Sequence, residues 1–262
     1  MSGDAILEVK GVSRAFGGIM ALMGVDFKVP RGIVKALIGP NGAGKTTLFN
    51  VVSGVYAPTQ GEVWFDGKRV DGMKPFQIAS LGLSRTFQTV ELFKQMTALE
   101  NVMLGRHMRE RGGFLECGFI PPSFRPREKA MEKRAREILE IVGLSKYAAE
   151  QSGSLPLGSQ KLLEVGRALA TDPKLILLDE PAAGLNDSET EAAADLVLRI
   201  KEMGITVMIV EHDIKLVMRV SDEVLVLNYG KRLADGTPEE IQNNPFVIEA
   251  YLGGDLSHAT FD

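Results

Sequence analysis

Residues 39 to 46 read GPNGAGKT, which is a complete GxxxxGK[ST] phosphate loop. An apolar run, Ile33 to Ile38, precedes the loop, and a stretch with helical character, Thr46 to Val52, follows it. This pattern is typical of a connection between a strand and a helix that holds a polyphosphate. A glycine-rich turn could match by chance, but the strand and the helix on either side favour a nucleotide site.

The residue types of the loop explain how it would hold phosphate. Glycines permit positive φ angles and leave no Cβ between the backbone and a ligand, so successive N–H groups can turn toward phosphate oxygens. The lysine supplies an ammonium for the β and γ phosphates, and the threonine after it supplies a hydroxyl ligand for Mg²⁺. The residues expected to bind nucleotide are Gly39, Pro40, Asn41, Gly42, Ala43, Gly44, Lys45, Thr46 and Thr47.

Composition narrows the class of protein. A chain of 262 residues accommodates one large α/β domain with a subdomain, and two full domains would be cramped. The net charge of −4 gives no electrostatic reason to expect nucleic-acid binding. Cys117 is the single cysteine, which fits a reducing compartment. Since the sequence has neither a secretory signal nor a run of about 20 apolar residues, we expect a cytosolic chain that meets a membrane only through a partner.

The order of predicted elements indicates an α/β fold. Strands are predicted at residues 6–10, 12–16, 25–29, 33–38 and 62–65, and only the helix after the phosphate loop interrupts them. From Phe87 to Gly166 the pattern is helical, with a proline-broken loop at residues 117–128. After Gly166 strands and helices alternate, which favours a parallel sheet covered on both faces. A hairpin is predicted around Tyr229, and two short helices at 238–242 and 245–252.

Two carboxylates follow the buried-strand pattern Leu175 to Leu178. An open parallel sheet places its ligand-binding groups at such strand ends. We expect Asp179 to hold Mg²⁺ through water and Glu180 to orient and partly deprotonate the attacking water. The alternative is that both acids only solubilise the end of the strand.

A histidine and a glutamine are further candidates. His212 follows the apolar run Val207 to Val210 and could hydrogen-bond a γ phosphate and sense its loss. The amide of Gln88, after LSRTF, could complete the shell of Mg²⁺ and water. The alternatives are a satisfied strand-end histidine and a solvated loop glutamine, and for His107 and His258 a structural role is preferred.

Together these motifs resemble the nucleotide-binding subunits of ATP-binding-cassette (ABC) transporters over Ile6 to Leu252, nearly the whole chain. GPNGAGKT matches the Walker A motif, LILLDE the Walker B motif, Gln88 the Q-loop and His212 the switch histidine. The resemblance places Phe16 against the adenine ring, where a flat aromatic face suits stacking. The alternative is a core phenylalanine.

The resemblance implies a single ABC ATPase domain over residues 1–262, with the fold of a P-loop NTPase. Residues 1–88 and 165–235 would form an antiparallel β subdomain and a RecA-like core. Residues 89–164 would form a helical subdomain that carries the signature motif, and residues 236–262 would form the C-terminal helices and tail.

The signature of the family, LSGGQ, is degenerate in this chain. Its place is taken by Leu155, Pro156, Leu157, Gly158 and Ser159, with Gln160 next, and we expect a helix to begin near Ser159. Proline offers neither a hydroxyl nor an N–H to a phosphate, so the helix N-terminus would have to face the anion instead. The resemblance also places Asn186 at the D-loop, where aspartate is commoner.

The resemblance further implies partners. Two ATPase subunits, identical or paralogous, would sandwich ATP and Mg²⁺ head to tail between the phosphate loop of one and the Leu155 to Gln160 region of the other. Membrane permease subunits would dock near Gln88 and Val90 to Met96, which would hold the chain at the cytoplasmic face of the inner membrane.

Longer segments narrow the resemblance. RTFQ, MTALENVMLGRH, GRALATDPKLILLDEPAAGLN and NNPFVIEAYLG are similar to the ATPase subunits of bacterial importers of branched-chain or other hydrophobic amino acids. Three alternatives remain open at this point: the ATPase of a lipopolysaccharide-type exporter, a soluble ABC ATPase of cofactor assembly, and a P-loop kinase, which would need an acceptor pocket.

Overall fold

A computed structural model describes residues 5–107 and 124–252 and divides the chain into two units. The first unit holds the described residues up to Leu83 and from Lys174 onward, and the second unit runs from Ser84 to Pro173. The predictions for Cys117, His258 and residues 117–123, and the side chain of His107, lie outside the described residues.

The first unit contains a four-stranded antiparallel sheet of order β2-β1-β4-β5. Its strands are β1 (Ala5–Phe16), β2 (Ile19–Pro30), β4 (Gln60–Phe65) and β5 (Lys68–Arg69). The two strands predicted at residues 6–10 and 12–16 form the single strand β1. The break in their pattern is an irregularity of register at Gly11, whose φ is +57° and whose N–H donates to Asp26 Oδ1 at 2.8 Å.

A second sheet has the order β10-β9-β3-β8-β7-β6. Its strands are β3 (Val34–Ile38), β6 (Leu83–Arg85), β7 (Leu175–Asp179), β8 (Thr206–Val210), β9 (Glu223–Asn228) and β10 (Lys231–Gly236). Leu83, the first residue of β6, belongs to the first unit, and the other two residues of β6 belong to the second. β3 pairs in parallel with β8 and β9, and β7 with β8, which confirms the predicted parallel sheet. β9 and β10 form the predicted antiparallel hairpin around Tyr229.

Six helices belong to the first unit: α1 (Lys45–Val52), α2 (Pro75–Leu81), α6 (Asp187–Glu202), α7 (Ile214–Val220), α8 (Pro238–Gln242) and α9 (Pro245–Leu252). The prediction that only α1 interrupts the early strands is wrong, because α2 begins with Pro75 in its first turn and ends at Gly82 with φ +109°. The two C-terminal helices lie where the sequence predicts them. Leu48 and Phe49 bury α1 in the core between the sheets, which fixes the helix behind the phosphate loop.

The second unit is helical, as predicted. It contains α3 (Ala98–His107), α4 (Phe124–Ile141) and α5 (Leu157–Leu169), with short 3-10 helices at Ser145–Tyr147 and Ser152–Ser154. The predicted loop extends too far, because α4 already begins at Phe124 and Pro126 is tolerated in its first turn. Among the described helices of the chain, none has the length and apolar character needed to cross a membrane.

Candidate nucleotide-binding site

The phosphate loop connects the end of β3 to the start of α1. Gly39, Gly42 and Gly44 have φ angles of +151°, +80° and +104°, which confirms that the loop uses the conformational freedom of glycine. Gly44 is the N-cap of α1 and provides no side-chain acceptor for the first turn. The first N–H groups of this helix are therefore suited to bind an anion.

Two of these glycines are also required by close packing. A Cβ on Gly39 would lie 2.1 Å from the carbonyl oxygen of Leu227 in β9, and a Cβ on Gly44 would lie 2.7 Å from that of Ala21 in β2. The β9–β10 hairpin adds a hydrogen bond from the Gly230 N–H to the carbonyl oxygen of Ala43 at 3.0 Å. Both sheets of the first unit thus hold the loop in place.

Lys45 lies buried inside its own loop. Its Nζ donates to the carbonyl oxygens of Gly39 at 2.6 Å and Pro40 at 3.1 Å. Burial lowers the pKa of Lys45, while the charges of Glu180 and Asp179 oppose that shift. The charges of both strand-end carboxylates therefore act on the lysine, and their shared role at a nucleotide site stays a prediction. Phosphate oxygens of a nucleotide would take the place of the two carbonyl oxygens.

Glu180 and His212 meet beyond the ends of adjacent strands. Asp179 is the last residue of β7 and is buried, and Glu180 follows it with a φ of +52°, unusual for a residue with a side chain. Its Oε1 lies 2.6 Å from Nε2 of His212, which follows β8. Backbone strain of this kind is typical of functional sites. The pair places a carboxylate and an imidazole at the ends of adjacent strands, and the charge of the same carboxylate acts on Lys45.

Glu211, which is not among the predicted site residues, is buried between these elements. Its Oε1 accepts the N–H of Ala182 at 2.7 Å, and its Oε2 accepts the N–H of His212 at 3.1 Å. Burial raises the pKa of Glu211. One carboxylate therefore joins the turn after Glu180 to the segment that carries His212. The only sequence signal is an acidic residue directly after an apolar strand, in VEHD.

Phe16 ends β1 and is 39% exposed, so it is not a core phenylalanine. Tyr56 packs edge-on against it, with ring centroids 5.1 Å apart at 76°, and the guanidinium carbon of Arg14 lies 4.6 Å from the Phe16 centroid. Tyr56 and Arg14 were not predicted. Together they support an aromatic ring that keeps exposed surface for stacking.

Asn186 has a structural function besides its predicted place in a D-loop. It is the N-cap of α6: its Oδ1 accepts the N–H of Glu189 at 3.0 Å, and the Glu189 carboxylate accepts the N–H of Asn186 at 3.1 Å. This reciprocal pair explains why α6 begins at Asp187. The expected role of Asn186 in a D-loop stays a prediction.

In the second unit, Gln88 is exposed and follows Phe87, whose N–H donates to Glu164 Oε1 at 3.2 Å. Glu164 is buried in α5, and burial raises its pKa. This acid is not among the predicted site residues, and it fixes the backbone next to Gln88. The predicted role of Gln88 toward Mg²⁺ stays a prediction.

The degenerate signature forms the start of α5. The helix begins at Leu157, two residues before the expected start near Ser159, because the N–H of Gln160 donates to the carbonyl oxygen of Pro156 at 2.9 Å and closes the first turn early. The side-chain amide of Gln160 donates to the Leu155 carbonyl at 2.7 Å. Leu155 and Gly158 are buried, and the side chain of the N-cap residue Pro156 makes no capping hydrogen bond.

The segment from Val90 to Met96 exposes apolar surface on a fixed backbone. Phe93 is 51% exposed and Met96 is 37% exposed. The fully buried Asn101 accepts the N–H of Phe93 at 3.0 Å and donates to its carbonyl oxygen at 3.1 Å, while Ser152 Oγ donates to the same oxygen at 2.9 Å. This arrangement suits a docking surface for an apolar partner.

Comparison with known proteins gives consistent matches. Residues 22–183 match the family model "ABC transporter", and residues 231–256 match "Branched-chain amino acid ATP-binding cassette transporter". The chain is 47% identical, over 95% of its length and 98% of the relative, to the high-affinity branched-chain amino acid transport ATP-binding protein BraF of Pseudomonas aeruginosa. It is 42% identical, with the same coverage, to the corresponding protein LivG of Escherichia coli K12.

Solved structures agree with the sequence relatives. A nucleotide-free ATP-binding cassette from an ABC transporter superposes with a TM-score of 0.82 at 36% identity, covering 94% of this chain and 98% of that one. A cassette in its ADP conformation gives 0.83 at 35% identity, covering 95% and 99%. A dimeric bacterial ABC transporter cassette gives 0.76 at 27% identity, covering 88% and 98%.

Proposed function

The chain belongs to the ABC transporter family of ATP-binding subunits, and on this premise we propose that it hydrolyses ATP at residues 39–47 to power the import of branched-chain or other hydrophobic amino acids. The observation that carries the proposal is the contact of Glu180 with His212 at 2.6 Å, beside the lysine of the phosphate loop. Family membership argues against a P-loop kinase.

Binding uses the phosphate loop. The backbone N–H groups of the loop and of the first turn of α1 bind the phosphates, and Lys45 turns from its two carbonyl partners to the β and γ oxygens. Phe16 stacks on the adenine. The phosphate loop and Phe16 both belong to the first unit, so nucleotide binding requires little rearrangement of that unit.

The site also suits Mg²⁺. The Thr46 hydroxyl provides a hard oxygen donor of the kind this ion prefers, and the Asp179 carboxylate would hold the ion through water. The family resemblance gives the amide of Gln88 a further role toward Mg²⁺. Bound there, Mg²⁺ would neutralise charge on the β and γ phosphates. Glu180 takes a proton from the attacking water, and His212 holds that carboxylate until the γ phosphate gives the imidazole a second partner.

Two interfaces complete the transporter. A second ATPase subunit supplies the Leu155 to Gln160 region, with Gly158, Ser159 and the N-terminus of α5 facing the γ phosphate, and Asn186 lies at the subunit boundary. The dimeric form of a related cassette supports the pairing of two ATPase subunits. The exposed apolar segment Val90 to Met96 receives a permease, which keeps the chain at the cytoplasmic face of the inner membrane.

Uptake of radiolabelled leucine by cells tests this function. Deletion of the gene should abolish high-affinity uptake, the wild-type gene should restore it, and a Lys45→Ala variant should not. Lys68→Ala, which removes an exposed lysine from β5, is the matched control and should restore uptake. Purification of the protein from membranes with a permease is also expected. Normal uptake in the deletion strain, or co-purification with a soluble assembly protein alone, would contradict the proposal.

A further inference from the structure

Residues 84–88 are attached to the region of helix α5 at two points. The buried carboxylate of Glu164 accepts the N–H of Phe87, with Oε1 3.2 Å from the nitrogen. Ser84 Oγ forms a hydrogen bond with Oγ1 of Thr171, which lies just after the end of α5. All four residues belong to the second unit. Both ends of this short segment are therefore tied to one helix.

The spacing of the two contacts shows that the segment runs antiparallel to α5. Ser84 and Phe87 are three positions apart, which spans about 10 Å in an extended chain. Glu164 and Thr171 are seven positions apart, which spans about 10.5 Å along a helix. The lengths match and the order is reversed, so the chain proceeds toward the N-terminus of α5. Gln88 follows Phe87, at the end of the segment that is nearer to that N-terminus.

Helix α5 is itself closely packed by two other helices of its unit. A Cβ on Gly105 in α3 would lie 2.3 Å from the carbonyl oxygen of Arg167, so the backbones of α3 and α5 approach closely. A Cβ on Gly166 would lie 3.5 Å from the side chain of Ile138 in α4. A helix packed in this way moves as a rigid element. Residues 155–160 at its start and the segment bonded to it therefore move together.

We propose that Glu164 is a positioning residue that couples the two ATP sites of the ATPase dimer. In that dimer Gln88 acts toward the Mg²⁺ of its own subunit, whereas residues 155–160 face the ATP of the partner subunit. The Glu164 carboxylate joins these two elements through the Phe87 N–H, so ATP bound at one site changes the geometry offered to the other. The proposal rests on the function proposed above, with the roles given there to Gln88 and the start of α5.

Glu164→Met tests the proposal, because methionine has about the size of glutamate but no oxygen for the Phe87 N–H. Glu164→Gln loses the charge, keeps the oxygen and is the matched control. ATP hydrolysis is measured on the transporter purified from membranes. Wild type should show a Hill coefficient above 1 for ATP.

In Glu164→Met the Hill coefficient should fall to about 1, and kcat should fall about five- to fiftyfold, as expected for one buried hydrogen bond. The Kd for ATP and Mg²⁺, measured by titration of the dilute isolated subunit, should stay within about twofold of wild type, because the phosphate loop lies in the first unit. Glu164→Gln should keep the Hill coefficient and a kcat within about twofold of wild type.

If Glu164→Met does not fold, Glu164→Asp takes its place, because its carboxylate is one methylene shorter and falls short of the Phe87 N–H. The same losses are expected. Wild-type kinetics in either variant, even with a lower melting temperature, would reduce Glu164 to a packing residue and overturn the proposal. Equal losses in Glu164→Met and Glu164→Gln, or a wild-type Hill coefficient of 1, would also overturn it. A wild-type transporter that hydrolyses no ATP would instead contradict the proposed function.

Discussion

Glu180 and His212 lie at the ends of neighbouring parallel strands, with Oε1 of the carboxylate 2.6 Å from Nε2 of the imidazole. The glutamate reaches this position with a backbone φ of +52°. The imidazole is 47% exposed, whereas the carboxylate is 13% exposed, so the pair has one sheltered and one accessible member. The sheltered Glu180 carboxylate suits the proposed general base, which must be kept from bulk water. The accessible His212 imidazole suits the proposed sensor, which must reach a ligand.

Replacement of Glu180 by Gln tests the base. The amide keeps an oxygen next to His212 but cannot take a proton, so steady-state phosphate release should fall by about 10²- to 10⁴-fold. ATP binding should persist, and the ATP-loaded dimer should accumulate in size-exclusion chromatography. Glu202→Gln, at the exposed end of α6, serves as the control and should hydrolyse normally. Phosphate release at the wild-type rate in Glu180→Gln would show that Glu180 is not the general base.

Gly39→Ala should be much more damaging than an ordinary change of a glycine with positive φ. The new methyl would lie 2.1 Å from the Leu227 carbonyl oxygen, so the backbone must move, with a loss of about 2–4 kcal/mol in the free energy of unfolding and loss of ATP binding. Gly204→Ala has a similarly positive φ, +80°, but nothing within 4 Å, and should lose about 1 kcal/mol. Urea unfolding of both variants measures the difference. Equal losses would mean that the close approach to β9 is unimportant.

Glu164 predicts a pH dependence of stability. Burial raises its pKa above the ordinary value of 4.5, so its contribution to stability is fully present below that value and is lost as pH rises through the higher, folded-state pKa. Glu164→Gln remains neutral and keeps an oxygen for the Phe87 N–H. Its free energy of unfolding relative to wild type should therefore increase as pH rises from 4.5 through the folded-state pKa of Glu164, then level off.

Urea unfolding of wild type and Glu164→Gln across this range gives the difference curve. Glu140→Gln, at an exposed position of α4, is the control, and its difference from wild type should show a much smaller change with pH. A difference for Glu164→Gln that shrinks as pH rises would show that the carboxylate is stabilised in its charged form.

Pro156→Ser restores a hydroxyl to the signature position. Serine is a good N-cap, worth about 1 kcal/mol for α5, although the loss of proline rigidity offsets about 0.4–1 kcal/mol. Stability should therefore change little, and ATP hydrolysis should be unchanged or faster. Pro156→Ala lacks both the cap and the ring and should be less stable than the serine variant by about 1 kcal/mol. Complete loss of hydrolysis in Pro156→Ser would show that proline shapes the loop itself.

Local patterns made much of the site predictable. The phosphate loop, the carboxylates at the end of β7 and the histidine after β8 lie where periodicity and motif place them, since strand ends carry their own signals. Glu164 carries no such signal, and the position of Glu211 after β8 does not reveal its role, because the partners of these two acids, Phe87 and Ala182, are far away in the sequence. The start of α5 depends on a backbone hydrogen bond from the N–H of Gln160 to the carbonyl oxygen of Pro156, which residue preferences do not predict.

Glu211 has a consequence for motion. Its carboxylate accepts one N–H from the turn after Glu180 and one from His212, and it is 4% exposed, so water cannot replace a donor that leaves. Displacing either segment alone would leave a buried acceptor short of a partner, at about 1–3 kcal/mol. Movement of both segments together keeps both hydrogen bonds, so a displacement of His212 is energetically coupled to the turn that contains Ala182.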